Sequence, residues 1–120
     1  MSDYQMGAVE SKFADIIWKN EPISSTELSK HSEEILKWKK STTYTVLKRL
    51  CDKGIFQNNK GTVTSLISKQ EFYSLQSEKF VEETFEGSLP AFLAAFSKRK
   101  KLSADEVAQL RKMIDEYEEG

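Results

Sequence analysis

Cysteine, histidine and proline are scarce in this sequence. One cysteine, one histidine and two prolines occur among 120 residues. A disulfide within the chain needs two cysteines, and a zinc site usually takes three or four Cys, His or carboxylate ligands. Cys51 and His31 are too few for either, unless carboxylates or a second subunit contribute. We therefore expect no metal and no cofactor.

Long apolar runs and phosphate-binding loops are also lacking. The longest apolar run is short and lies around Phe92–Phe96. We therefore expect no membrane insertion and no signal peptide, and a cytoplasmic protein. The chain has no GxxxxGK[ST] or GxGxxG loop. No Ser-His-Asp arrangement can be read around His31, because any serine and aspartate would match equally well. We do not expect an enzyme.

A formal net charge of −1 conceals an uneven distribution of charge. Between Lys37 and Lys60 there are seven basic residues and one acidic residue, Asp52. Between Glu71 and Glu86 there are five glutamates and one lysine, and the stretch from Asp105 to Glu119 is again acidic. Any contact with phosphates is therefore expected within residues 37–60.

The first half of the chain predicts three helices and a hairpin. The helices are expected at Ala8–Asn20, from Ser24 as N-cap to about His31 or Ile35, and at Ser41–Lys53. The third helix is expected to turn Thr43, Val46, Leu47 and Leu50 inward. Strands are expected at Ile55–Gln57 and Thr62–Ile67, joined by a turn at residues 58–61. This order is that of a winged helix-turn-helix, which we place at residues 1–70.

The last third of the sequence predicts helices only. One is expected at Lys69–Phe85, a second after Ser88, and a third after a capping box formed by Ser103 and Glu106. Three helices are too few to bury their own apolar residues, so we expect a homodimer with residues 71–120 as a helical dimerisation arm. The residues assigned to the dimer interface are Phe80, Phe85, Phe92, Leu93, Phe96, Leu110 and Ile114. The expected fold is mainly α with a small β-hairpin.

This ordered set of segments resembles the penicillinase-repressor family (BlaI/MecI type). The residues that carry the resemblance are Ile16-Ile17-Trp18, Trp38, Leu47-Lys48-Arg49-Leu50 with Lys53-Gly54-Ile55, and Leu102-Ser103-Ala104-Asp105-Glu106 with Leu110-Arg111. The resemblance implies a dimeric transcriptional repressor whose winged helix binds a palindromic double-stranded DNA operator. It also implies that the C-terminal helices dimerise.

The resemblance places the recognition contacts at the start of the third helix. The residues expected there to read bases are Ser41, Thr42, Tyr44 and Thr45, which can offer hydroxyls, methyl groups or a ring face. The residues better suited to phosphates are Lys39, Lys40, Lys48 and Lys60. Relatives tend to carry lysine and arginine where Ser41 and Tyr44 stand, and a serine-proline where this chain has Lys39-Lys40, so the operator should differ. The alternatives are a merely solvated helix face and a wing tip that is only a turn.

The resemblance also implies a way to relieve repression. Well-known members are cleaved in the dimerisation segment after a signalling protease is triggered, commonly at an Asn-Phe bond. The corresponding bond here is Ala95–Phe96, which keeps the phenylalanine and lacks the asparagine. A copper-sensing branch of the family has a cysteine-rich C-terminal motif, and its absence here excludes that branch.

Two other functions stay open from the sequence. One is a winged-helix protein-interaction module, and the other is a regulator with a small-molecule pocket lined by Phe80, Phe85, Phe92 and Trp38. We expect Trp38 to pack against the helices and Cys51 to be a small, partly buried side chain. A thiol switch stays open for Cys51, because neighbouring Lys48 and Arg49 can lower its pKa.

Overall fold

The structure is a computed structural model that describes the backbone of residues 5–119 and the side chains of residues 5–117. Its elements in chain order are α1 (Ala8–Asn20), β1 (Ile23–Ser24), α2 (Ser25–Leu36), α3 (Lys40–Asp52), β2 (Phe56–Asn59), β3 (Thr62–Ser65), α4 (Lys69–Phe85), α5 (Leu89–Arg99) and α6 (Ala104–Glu119). The chain divides into two compact units, Met1–Ser77 and Glu78–Gly120, so that the division lies inside α4.

The first unit has a continuous hydrophobic core. Phe13 and Ile17 on α1, Leu28 on α2 and Leu50 on α3 are each fully buried. The strands add further buried side chains, and α4 contributes Phe72, whose ring centroid is 5.6 Å from that of Trp18. The first turns of α4 therefore complete the core of this unit.

The helices of the first unit largely match their predicted positions. Helix α1 has the predicted limits, and Ser24 Oγ accepts the predicted capping hydrogen bond from the Glu27 amide at 3.0 Å. Helix α2 continues to Leu36, beyond the predicted end. It ends where Lys37 adopts a left-handed φ of 60° and its amide donates to the Glu33 carbonyl at 3.1 Å.

The wing is the β2–β3 hairpin, and its strand limits differ from the prediction. Strand β2 begins at Phe56 instead of Ile55 and β3 ends at Ser65 instead of Ile67, because Phe56 and Ser65 are the last pair of their register. Asn58 and Asn59 belong to β2, because the turn needs only Lys60 and Gly61, with φ values of 52° and 89°. Two consecutive positive φ values are typical of the tight hairpin turn that matches the strand twist. A third strand, β1, was not predicted; it pairs antiparallel with β3, giving the order β1-β3-β2. Two residues are too few to show an alternating pattern in sequence.

The second unit consists of the end of α4 with α5 and α6. Helix α5 begins after Ser88 as predicted, and Ser88 Oγ caps it by accepting from the Ala91 amide at 3.1 Å. Ser103 and Glu106 form a reciprocal pair, with amide-to-side-chain distances of 3.0 and 3.1 Å. Among the residues of this unit whose side chains are described, none is fully buried.

Candidate nucleic-acid interface

Helix α3 has one buried side and one exposed side. Its buried residues follow helical spacing and are Thr43, Val46, Leu47 and Leu50, which confirms the predicted inward stripe. The exposed residues are Ser41, Thr42, Thr45, Lys48 and Arg49. The core thus holds α3 by one face and leaves hydroxyl and basic side chains on the other.

The hydroxyl groups predicted to read bases are in different environments. Thr45 Oγ1 donates to the Ser41 carbonyl at 2.9 Å, so this hydroxyl is used within the helix and its methyl group remains. Tyr44 is half-buried, and its hydroxyl donates to Ser25 Oγ at 3.3 Å. Ser41 and Thr42 are exposed on the first turn of α3.

Ser25 is a residue of this region that sequence reasoning missed. It lies 19 positions before Tyr44 and stands at the start of α2. No local pattern in the sequence links the two residues, since their contact depends on how α2 and α3 pack.

Two basic residues of the α3 face are held in ion pairs. Lys48 Nζ lies 3.2 Å from Asp52 Oδ2, and Arg49 Nη1 lies 3.3 Å from Glu10 Oε2. The Lys48 pair is largely exposed, and exposed pairs of this kind contribute little stability. Lys48 can therefore exchange Asp52 for another anion at small cost.

The other three residues predicted to contact phosphates lie at the start of α3 and at the wing tip. Lys39 and Lys40 precede the exposed hydroxyls, and Lys60 occupies the wing turn. Lys40 Nζ lies 6.0 Å from the centroid of the Tyr44 ring. Within residues 5–117, none of these three ammonium groups lies within 4.0 Å of a carboxylate oxygen.

Trp38 and Cys51 are partly buried and pack against the core of the first unit. The Trp38 ring packs on Phe13 with centroids 5.1 Å apart, as predicted. Burial raises the pKa of the half-buried Cys51 thiol, Asp52 raises it further, and Lys48 opposes the change. Cys51 is thus the partly buried side chain that was expected, and its pKa shift is opposite to the one that a thiol switch beside Lys48 and Arg49 would need.

The residues predicted for dimerisation lie on α4, α5 and α6. The rings of Phe80, Phe85 and Phe92 contact one another with centroids 5.6–6.0 Å apart. A groove of about 260 Å³ lies between α5 and α6, and its apolar lining is Phe92, Leu93, Phe96, Leu102, Leu110 and Met113. Ile114 is 56% exposed. The Ala95–Phe96 bond lies inside α5, with both side chains exposed.

The part of the chain that the structure describes has neither a metal-binding cluster nor a membrane-spanning helix. There, no three His, Cys, Asp or Glu side chains are grouped so that they could hold a metal ion. No described helix combines the length and the apolar character needed to cross a bilayer.

Three helices, a three-stranded sheet with a β2–β3 wing and an exposed basic face on α3 define a winged helix-turn-helix protein. The family model described as "Penicillinase repressor" matches residues 6–116, and the chain belongs to this family of repressors. It is 26% identical to the penicillinase repressor of Bacillus licheniformis, over 94% of this chain and 91% of that protein. It is 23% identical to the methicillin resistance regulatory protein MecI of Staphylococcus aureus, over 93% of this chain and 94% of that protein.

Solved structures show the same likeness for the first unit. The solution structure of the DNA binding domain of the repressor BlaI matches with a TM-score of 0.54 and 26% identity, covering 59% of this chain and 93% of that one. The monomeric form of Bacillus licheniformis BlaI in complex with the blaP half-operator matches with a TM-score of 0.50 and 25% identity, over the same shares of each chain.

Proposed function

We propose that this protein is a homodimeric transcriptional repressor that binds a palindromic DNA operator through α3. Residues 1–70 form the DNA-binding domain, whose core the first turns of α4 complete through Phe72, and the helices of residues 71–120 form the dimerisation domain. The protein acts by occupying DNA in the cytoplasm and has no catalytic role. Its family and the half-operator complex of BlaI support this function.

The observation that carries the proposal is the composition of the exposed α3 face and the neighbouring wing. Hydroxyls on Ser41 and Thr42 lie next to Lys39 and Lys40, and Lys60 occupies the wing tip. Winged helices insert the recognition helix into the major groove, where hydroxyls and methyl groups distinguish base pairs. Lysines at the edge of that surface are suited to phosphates, which position the protein without reading sequence.

The proposal of a dimer rests on the exposed apolar side chains of the second unit. Phe80 is 51% exposed, Phe96 43% and Ile114 56%. Such a concentration of exposed large apolar side chains is typical of an interaction surface. A second copy that covers these residues would supply the core that this unit lacks, and it would match the two-fold symmetry of a palindrome.

Relief of repression is proposed to follow loss of the arm. Helix α5 has eleven residues, and a cut at Ala95–Phe96 would fall inside it. The contacting rings of Phe80, Phe85 and Phe92 would then no longer be on the same chain as α6. Because a protease needs an extended backbone, cleavage there requires local opening of α5.

The test is fluorescence anisotropy on the palindromes upstream of the protein's own gene, with random duplexes of equal length as the control. If Lys39, Lys40 and Lys60 of both subunits contact phosphates, the plot of log affinity against log salt has a slope of roughly −5. We expect two subunits per site. Equal binding to both duplexes at low salt, by confirmed dimers, would contradict the proposal and favour the protein-interaction module.

A further inference from the structure

Ser25 contacts both of the elements that are expected to reach DNA. Its amide donates to the Gly61 carbonyl in the wing turn at 2.8 Å. Its hydroxyl oxygen accepts from the Tyr44 hydroxyl on α3 at 3.3 Å. One half-buried residue at the first position of α2 therefore connects the wing tip with α3.

A groove lies between the exposed side of α3 and strand β2 of the wing. The groove measures about 390 Å³, and Tyr44 and Lys48 line it on α3 while Asn58 lines it on β2. Asn58 Oδ1 also accepts from the Gly61 amide at 3.0 Å. Gly61 is thus held through its amide by Asn58 and through its carbonyl by Ser25. These two hydrogen bonds hold the wing tip against the start of α2 and against β2.

We propose that Ser25 is a positioning residue for operator binding, which holds the Tyr44 side chain and the wing tip in the arrangement that fits DNA. This inference rests on the proposed function. It also makes the role of Tyr44 more specific, because the hydroxyl of Tyr44 is already bonded to Ser25 Oγ in the free protein. Tyr44 then presents its ring to the bases. Lys40 Nζ lies 6.0 Å from the centroid of the same ring.

The physical basis is preorganisation. A side chain and a turn that are already held in the bound geometry lose less conformational freedom when DNA binds. Breaking the hydroxyl contact releases the Tyr44 side chain, whereas the amide contact of Ser25 with Gly61 remains. From the usual net contribution of one hydrogen bond, we expect affinity to fall roughly three- to tenfold per half-site.

Three single variants of the full chain, together with a double variant that combines Ser25→Ala with Tyr44→Phe, isolate this contact. Ser25→Ala removes the acceptor, Tyr44→Phe removes the donor and keeps the ring, and Ser25→Thr keeps a hydroxyl at the same position. The probes are duplexes that the wild-type protein selects from a random-sequence pool, compared with unselected duplexes of equal length. Tryptophan fluorescence during urea unfolding checks that each variant is folded.

The expected result has four parts. Ser25→Ala and Tyr44→Phe each lose roughly three- to tenfold affinity per half-site for the selected duplex, and the double variant loses no more than either single one. Ser25→Thr binds like the wild type. Ser25→Ala and Ser25→Thr bind unselected duplexes within about twofold of the wild type, because phosphate contacts are unchanged.

Several results would overturn the inference. Wild-type affinity in Ser25→Ala together with a loss in Tyr44→Phe would mean that the hydroxyl itself reads a base. Wild-type affinity in both single variants, or additive losses in the double variant, would mean that the contact has no positioning role. If the wild-type protein selects no sequence at all, the proposed function fails as well, which distinguishes that outcome from a failure of Ser25 alone.

Discussion

Phe72 and Phe80 lie two turns apart on α4, yet the structure gives them different roles. Phe72 is 1% exposed and packs against Trp18 in the first unit. Phe80 is 51% exposed and contacts Phe85 and Phe92 in the second unit. Replacing each phenylalanine by alanine therefore distinguishes effects on the stability of the first unit from effects on assembly of the proposed dimer.

The expected magnitude for Phe72→Ala follows from its burial. Truncating a buried phenylalanine to alanine costs about 3–5 kcal/mol. A unit of 77 residues is expected to have a free energy of unfolding of about 4–12 kcal/mol. Phe72→Ala therefore removes a quarter of this stability or more. Phe80→Ala removes no core side chain from the first unit, so its stability should stay within about 0.5 kcal/mol of the wild type.

Tryptophan fluorescence during urea unfolding is the suitable assay. The chain has two tryptophans, Trp18 and Trp38, and both pack in the first unit. With a slope of about 1–2 kcal/mol per molar urea, a loss of about 3–5 kcal/mol in Phe72→Ala should lower the unfolding midpoint by roughly 1.5 M or more. Phe80→Ala should leave this midpoint unchanged and, on the proposed function, weaken the dimer in sedimentation equilibrium. Equal midpoints for the two variants would refute the assignment of Phe72 to the core.

Three further predictions concern DNA contacts and pH. Lys40→Ala should weaken binding to operator and random duplexes about equally and flatten the salt slope by roughly one unit per subunit, measured by anisotropy at several salt concentrations. Tyr44→Ala should weaken operator binding far more than random binding in the same assay, and equal losses would remove its role in specificity. The Ser103 amide, and then its hydroxyl, lower the pKa of Glu106 below its ordinary value of 4.5. This contribution to the stability of α6 is present above pH 4.5 and is lost as the pH falls through the lowered pKa. Wild type and Glu106→Gln should therefore differ less in stability in acid than at neutral pH. Urea unfolding followed by far-ultraviolet circular dichroism measures this difference.

Local interactions explain which parts of the fold the sequence could predict. The caps at Ser24 and Ser103 involve residues three positions apart, so their side chains and amides can be matched along the chain. The limits of α1 and α4 follow from helical periodicity and were predicted correctly. Strand β1 escaped prediction because it exists through its pairing of Ile23 with Val63, which is a contact between distant parts of the chain.

The same distinction applies to the candidate site. Helical periodicity predicts the buried residues of α3 correctly, whereas Tyr44, predicted on the exposed side, is half-buried. It does not predict what each exposed side chain touches. The contacts of Tyr44 with Ser25 and of Arg49 with Glu10 join different helices and depend on packing.

The distribution of buried residues bears on how loss of the arm would act. Every fully buried apolar side chain among the described residues lies between Phe13 and Phe72, whereas the Ala95–Phe96 bond lies well beyond that range. A cut at this bond would therefore leave the core of the first unit intact. On the proposed function, repression would be relieved because two half-site contacts are no longer joined in one dimer, and the effective concentration of the second contact is lost. A shortened chain that ends at Ala95 should accordingly keep the tryptophan unfolding midpoint of the full chain while binding a palindrome only as tightly as a half-operator. A large drop in that midpoint would show instead that cleavage acts by unfolding the DNA-binding domain.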